Sequence, residues 1–92
     1  MKERKIEDRL KREVEKKGGL CLKLISTSMA GVPDRLVLLP SGKAVFVELK
    51  APGKKLRPLQ CKRKKQFESL GFKVYVIDSF EGVEKFIQEV EV

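Results

Sequence analysis

Two apolar runs separated by a three-residue turn constrain the fold of this chain more than any other feature. The runs are residues 34–39 and 43–50, and the turn between them, 40–42, is Pro-Ser-Gly. Apolar side chains lie on both faces of each run, which predicts two strands of a sheet that is covered on both sides. The chain has 92 residues, so we expect one domain that includes all of them, 1–92.

The glycine in the turn predicts how the two strands pair. A three-residue loop made of a type I turn and one left-handed residue favours glycine in its third position, which is Gly42. Such a loop pairs the two residues that flank it and, five positions further along each strand, Asp34 with Glu48. Opposed side chains share a face of the sheet, so Asp34, Glu48 and Lys50 would project together. A two-residue loop would instead divide them between the two faces.

The other segments predict the element order α-β-β-β-α-β-α. Residues 2–17 carry apolar residues at helical spacing and end at a glycine pair, and residues 20–25 alternate as a strand does. A second helix over 58–70 begins with proline and ends at glycine, 73–78 is a further strand, and Ser79 caps a last helix. A helix between two strands implies that they pair in parallel, which predicts an α/β fold with a mixed sheet flanked by helices.

The composition excludes several kinds of catalytic site. The chain has no histidine, so it has neither a Ser-His-Asp nor a Cys-His site, and catalysis would have to use carboxylates and lysine. Its two cysteines are forty positions apart, which is typical of reduced thiols and not of a disulfide framework. The N-terminus is charged and no apolar run is long enough to span a membrane, so we expect a cytoplasmic protein.

The positive charge is concentrated in residues 50–65. This stretch has eight Lys and Arg residues and no Asp or Glu, which equals the net charge of +8 of the whole chain. It is the electrostatic footprint expected for binding a phosphate backbone, although a solvent-exposed charged face is the simpler alternative. No aromatic residue interrupts it, which favours a duplex or a junction over stacked single-stranded bases. The candidate DNA-binding residues of this stretch are Lys54, Lys55, Arg57, Lys62, Arg63 and Lys65.

Asp34 and Glu48 are candidate metal ligands. Two carboxylates a few ångströms apart repel each other unless a cation lies between them, and hard oxygen ligands suit Mg²⁺. A metal there would polarise a phosphoryl oxygen and activate water, while Lys50 would orient that water or neutralise developing charge. In the alternative interpretation, Asp34 only starts a strand, and Glu48 and Lys50 lie on the exposed face of an edge strand.

Four segments occur in the order of a known family. They are Gly31-Val-Pro-Asp34-Arg, Val45-Phe-Val-Glu48-Leu-Lys50-Ala-Pro-Gly, Pro58-Leu-Gln60 and Leu70-Gly-Phe-Lys-Val-Tyr. With them the chain resembles the stand-alone VRR-NUC (virus-type replication-repair nuclease) family, a branch of the PD-(D/E)xK nucleases. The resemblance extends from the first helix to Tyr75. It implies the restriction-endonuclease-like α/β core of that superfamily and hydrolysis of phosphodiester bonds in DNA.

The resemblance also implies roles for individual residues. Asp34, Glu48 and the main-chain carbonyl of Leu49 match the metal ligands of the family, and Lys50 matches its catalytic lysine. Gln60 matches a glutamine at the start of the second helix, where it would position water or phosphate. The simpler interpretation of Gln60 is a polar residue at a helix N-terminus.

Two further positions of the family pattern have candidates in this chain. The first helix contributes an acid, for which we choose Glu7 as a catalytic and metal-binding residue because it adjoins Ile6 in the apolar stripe. Glu3, one turn earlier, is the alternative. Lys23 matches a basic position and would contact phosphate, unless it is simply an exposed strand lysine.

The function implied by the resemblance is that of a Mg²⁺-dependent endonuclease, with Mn²⁺ as a substitute and no organic cofactor. It would cut branched double-stranded DNA, with the four-way (Holliday) junction as the favoured substrate, in a bacterial cell or a phage-infected host. Symmetric cutting of a junction predicts a homodimer, and the apolar last helix, 83–90, is the expected interface. The alternatives are a nickase or flap-type nuclease with the same site, and a non-catalytic basic DNA-binding module.

Overall fold

A computed structural model describes residues 2–90, which form a four-stranded mixed sheet with helices on both faces. The elements are α1 (Glu3–Lys16), β1 (Leu20–Lys23), β2 (Arg35–Leu39), β3 (Lys43–Leu49), α2 (Pro58–Ser69), β4 (Val74–Ile77) and α3 (Phe80–Val90). This is the predicted element order and the predicted α/β class. Of the expected domain, positions 1, 91 and 92 lie outside the described residues.

The sheet has the strand order β1-β2-β3-β4, and its pairing confirms the register expected from the turn. β1 pairs with β2 and β2 with β3 in antiparallel fashion, whereas β3 and β4, which α2 connects, are parallel. Leu39 lies opposite Lys43, and Arg35 lies opposite Val47. The same register places Asp34, just before β2, beside Glu48.

The turn between β2 and β3 differs in one detail from the expected geometry. Gly42 has the predicted left-handed conformation, with φ of 75°, but Ser41 is also left-handed, with φ of 70°. The prediction of a single left-handed residue was therefore wrong. Consecutive residues with positive φ twist the chain in the same sense as the strands of a hairpin, which explains why the turn adopts them.

The core lies between one face of the sheet and the helices α1 and α3. Its fully buried side chains are Ile6, Leu10, Val14, Val37, Val47 and Val83. Phe86, Ile87 and Val90 of α3 are also at most 8% exposed. The prediction that this last helix forms a dimer interface was therefore wrong, because its apolar face is already buried against the sheet and α1 of its own chain.

The opposite face of the sheet is only half covered. Helix α2 lies over it, with the ring of Phe67 edge-to-face on Phe46 at 4.9 Å between centroids, but no side chain of α2 is buried. The part formed by β1 and β2 carries four leucines on this face, of which two are exposed and two are partly buried: Leu20, Leu22, Leu36 and Leu38, here called the leucine face. Leu20 is 55% exposed and Leu22 is 42% exposed, so the expectation of full coverage on both sides was wrong for this half.

The two cysteines are free thiols in different surroundings. Cys21 of β1 is buried, and this burial raises its pKa, whereas Cys61 is exposed on α2. No helix within residues 2–90 is both long enough and apolar enough to cross a membrane.

Candidate active site

The start of β2 and the end of β3 bring two carboxylates together at one end of the sheet. The main-chain N–H of Asp34 donates a hydrogen bond to Oε1 of Glu48, at 3.1 Å. The main-chain N–H of Leu49 donates in turn to Oδ2 of Asp34, at 2.9 Å. Each carboxylate is thus oriented by the strand that carries the other, which fixes the geometry of the pair.

A lysine and a glutamine complete this group. Nζ of Lys50 lies 3.7 Å from Oε2 of Glu48, and its side chain is 12% exposed. Nε2 of Gln60, in the first turn of α2, donates to the same oxygen at 2.7 Å. Oε1 of Gln60 accepts the main-chain N–H of Arg57 at 2.9 Å. The structure therefore brings Asp34, Glu48, Lys50 and Gln60 together.

The electrostatics of the pair suit a divalent cation. Burial of Glu48, which is only 3% exposed, and the neighbouring charge of Asp34 raise its pKa to about 7, while Lys50 acts in the opposite direction. A cation beside both carboxylates would relieve their repulsion, and Mg²⁺ is commonly held by one or two carboxylates together with water and substrate phosphate. The carbonyl of Leu49 points to the same side of β3 as its N–H, toward Asp34, as extended backbone requires.

A cleft of about 380 Å³ adjoins Asp34. It is lined by Ala30, Gly31, Val32, Asp34, Arg57, Leu59 and Gln60. One wall thus belongs to the loop before β2 and the other to the start of α2. A phosphate group that entered this cleft would meet Asp34 and the backbone of Arg57 within the same small volume.

The chain is similar to known proteins over most of its length. The model of the VRR-NUC domain family matches residues 2–81. The chain belongs to the VRR-NUC family. It is 48% identical over 79 residues to the p44 protein of Acyrthosiphon pisum secondary endosymbiont phage 1, whose name designates it a candidate nuclease, covering 86% of this chain and 85% of that protein. A solved structure described as a VRR-NUC domain superposes with a TM-score of 0.89 at 36% identity, over 96% of each chain.

The acid that the VRR-NUC pattern assigns to the first helix is not part of the carboxylate pair. Glu7 forms an ion pair with Arg35, whose guanidinium is buried on the α1 side of the sheet. Glu3 is exposed on the same helix. Within residues 2–90 there is no cluster of three or more Asp, Glu, Cys or His side chains that would hold a metal. The buried cation beside Glu7 explains its position, and its metal-binding role stays a prediction.

Most of the basic residues expected to bind DNA are exposed. They are Lys23, Lys54, Lys55, Arg57, Lys62 and Lys65. Arg63 differs, because its Nε donates to the main-chain carbonyl of Ala30 at 2.8 Å and its guanidinium also donates to Gln66 at 2.9 Å. The sequence does not predict this contact, because nothing in a run of Lys and Arg distinguishes one cation from the next.

Proposed function

We propose that this VRR-NUC protein is an endonuclease that uses Mg²⁺, or Mn²⁺ as a substitute, to hydrolyse phosphodiester bonds in branched DNA, with the four-way junction as its preferred substrate. The observation that carries the proposal is the convergence of two carboxylates and a lysine, with one of the carboxylates, Asp34, lining a cleft. Family membership and the 48% identity to the phage protein p44, itself named as a candidate nuclease, support the same chemistry.

The residues of the site have distinct roles in this proposal. Asp34, Glu48 and the carbonyl of Leu49 would hold the cation, which supplies Lewis acidity and lowers the pKa of a bound water. Lys50 would neutralise the negative charge that develops on the phosphoryl oxygens. Gln60 keeps one oxygen of Glu48 in place through its 2.7 Å hydrogen bond, and from its position in the cleft it would also position water or phosphate.

The basic surface favours recognition of DNA shape over base sequence. Most of its exposed cations are lysines, which act as point charges on phosphates, whereas the planar guanidinium of arginine is better suited to bidentate contacts with bases. Arg63 is already bonded within the protein. A protein that reads phosphate positions in this way discriminates between DNA structures by the geometry of their backbones.

Cutting a junction on two opposed strands requires two active sites, so the proposal includes a homodimer. We place the interface on the leucine face, which is apolar and partly exposed, since the apolar side of α3 is buried in the chain's own core. We expect Leu22→Lys to shift the protein to monomer in sedimentation velocity. Val76→Lys, at a residue equally exposed on β4, is the matched control and should leave the dimer intact. If the wild-type protein sediments only as a monomer at micromolar concentration, the proposed homodimer is wrong.

The function is tested by cleavage of a labelled four-way junction beside matched linear, flap and single-stranded DNA, with Mg²⁺ or with EDTA. We expect paired incisions in the junction that require Mg²⁺ and disappear in Asp34→Asn. If the flap is cut preferentially, or if the junction receives single nicks, the proposed metal site stands but the proposed substrate is wrong. Binding of every DNA without cleavage, in Mg²⁺ and in Mn²⁺, would contradict the nuclease and favour a DNA-binding module.

A further inference from the structure

Helix α2 is attached to the sheet differently from the other two helices. Helices α1 and α3 are fixed by buried apolar side chains, whereas no side chain of α2 is buried. Its connections are the ring contact of Phe67 with Phe46 and two polar ties nearer its start, from Gln60 to Glu48 and from Arg63 to Ala30. Specific hydrogen bonds therefore set the position of the first turns of α2 relative to the active site.

The loop before β2 depends on one of these ties. Residues 25–33 have no regular secondary structure, and a hydroxyl of Ser26 bonds only to Ser28 and Met29 within the same loop. Among residues 2–90, the hydrogen bond that joins this loop to another element is the one from Nε of Arg63 to the carbonyl of Ala30. Its loss would leave only packing contacts to hold the loop on α2 between its two ends.

The same part of the loop packs closely on α2. Gly31 has φ of +81°, and a Cβ built on it would lie 2.8 Å from Cγ of Leu59. Ala30, Gly31 and Val32 form one wall of the catalytic cleft, and Asp34 follows four residues after Ala30. A displacement of this wall would therefore change the cleft in which substrate phosphate has to meet Asp34.

We propose that Arg63 is a positioning residue that holds the loop wall of the catalytic cleft in place, instead of the phosphate-binding residue that the sequence predicted. The inference rests on the proposed nuclease function. Arginine suits this role because its planar guanidinium bonds Ala30 and Gln66 at the same time, at 2.8 and 2.9 Å. Lysine carries the same charge but lacks this fork, so it would not keep both bonds in place.

Hydrogen exchange tests the tie without DNA or catalysis. The variants are Arg63→Lys, which keeps the charge, Arg63→Met, which removes it, and Lys62→Met, which removes one charge from an exposed neighbour on the same helix. We expect the amides of residues 25–33 to exchange faster in both Arg63 variants and at the wild-type rate in Lys62→Met. Wild-type exchange of this loop in both Arg63 variants would overturn the proposal.

Cleavage kinetics then separate positioning from phosphate binding. We expect kcat to fall about tenfold or more in both Arg63 variants, because small displacements of reacting groups are costly. Lys62→Met should raise KM, as loss of one phosphate contact does, with kcat retained. If Arg63→Lys keeps the wild-type kcat and Arg63→Met behaves like Lys62→Met, Arg63 is a phosphate contact and the proposal fails. A wild-type protein that cleaves no DNA contradicts the nuclease function, whereas the exchange rates still decide whether Arg63 holds the loop.

Discussion

Glu48 is the residue whose charge is most costly in this fold. Its burial and the nearby Asp34 raise its pKa from 4.5 to about 7. The folded protein therefore binds a proton here more readily than the unfolded chain does between these values. The stability that Glu48 contributes is complete below pH 4.5 and is lost as the pH rises through about 7.

This titration predicts a pH-dependent stability in the metal-free protein. In EDTA, the free energy of unfolding should fall by on the order of 2 kcal/mol between about pH 5 and about pH 8 because of this group. Urea denaturation at the two pH values should show the fall in wild type and in Glu15→Gln, an exposed helical control, but not in Glu48→Gln. Mg²⁺ should restore stability at the higher pH in wild type and in Glu15→Gln, but not in Glu48→Gln. An equal fall in Glu48→Gln would assign the titration to another group.

The two ends of the Gln60 amide have separable functions. Gln60→Glu keeps an oxygen for the N–H of Arg57 but loses the donor to Glu48 and adds a negative charge there. Gln60→Leu loses both bonds. We expect both variants to lower kcat and to lose stability, Gln60→Leu by about 1 kcal/mol through the helix N-terminus and Gln60→Glu through repulsion between its carboxylate and that of Glu48. Thermal unfolding and junction cleavage measure the two effects, and a Gln60→Glu variant with wild-type kcat would show that the bond to Glu48 is dispensable.

At the scale of elements, the local sequence pattern predicted which strands pair more accurately than it predicted which surfaces are buried. The glycine in the turn was sufficient for the β2–β3 register, because loop length and strand period together fix which residues oppose each other. Residues Asp34, Glu48 and Lys50 were placed together for the same reason. Helix α3 was assigned to a dimer interface because an apolar stripe specifies a face to bury and not which surface buries it.

The packing of α2 depends on contacts that local patterns do not encode. Neither the tie from Arg63 to Ala30 nor the approach of Leu59 to Gly31 follows from any spacing, since each joins segments about thirty positions apart in the sequence. For β1, alternation predicted a strand but not its orientation, and Cys21 faces the core while Leu20 and Leu22 face outward. The face that a strand turns toward the core is set by contacts with the rest of the folded chain.

Gly31 tests how tightly α2 and the loop before β2 are packed. Gly31→Ala combines backbone strain at φ of +81° with a clash against Leu59, whereas Gly53→Ala has a similar φ of +78° but open space around the new methyl group. We expect Gly53→Ala to cost about 1 kcal/mol of stability and Gly31→Ala clearly more, with a lower kcat only in the latter. Urea unfolding and cleavage assays check both. If the two variants lose the same stability and keep the same kcat, the loop before β2 accommodates the new methyl group without changing the active site.

At the scale of the whole molecule, the charge is arranged asymmetrically. Residues 50–65 carry as much positive charge as the net +8 of the chain, and they lie at the end and on the side of the sheet that α2 covers. Core helix α3 lies on the other side of the sheet. Most phosphate contacts of bound DNA should therefore lie on the α2 side.

Salt dependence measures this asymmetry. The logarithm of the DNA association constant should fall linearly with the logarithm of salt concentration, and Lys54→Met or Lys55→Met should each reduce the slope by about one. Lys85→Met, which removes an exposed charge from α3, should leave the slope unchanged. Fluorescence anisotropy titrations at several salt concentrations provide the slopes. Equal effects of the three substitutions would indicate attraction by net charge without a defined binding face.

The unequal exposure of the two thiols makes the natural chain suitable for site-specific labelling. A maleimide dye should attach to Cys61 on the outer surface of α2 and leave Cys21, under the sheet, unmodified. The dye would then stand beside Gln60, one residue from the bond that holds Glu48. In a dimer, energy transfer between two such dyes would report the distance between the two active sites. A change in energy transfer on adding DNA would show that this distance changes when the dimer binds a junction.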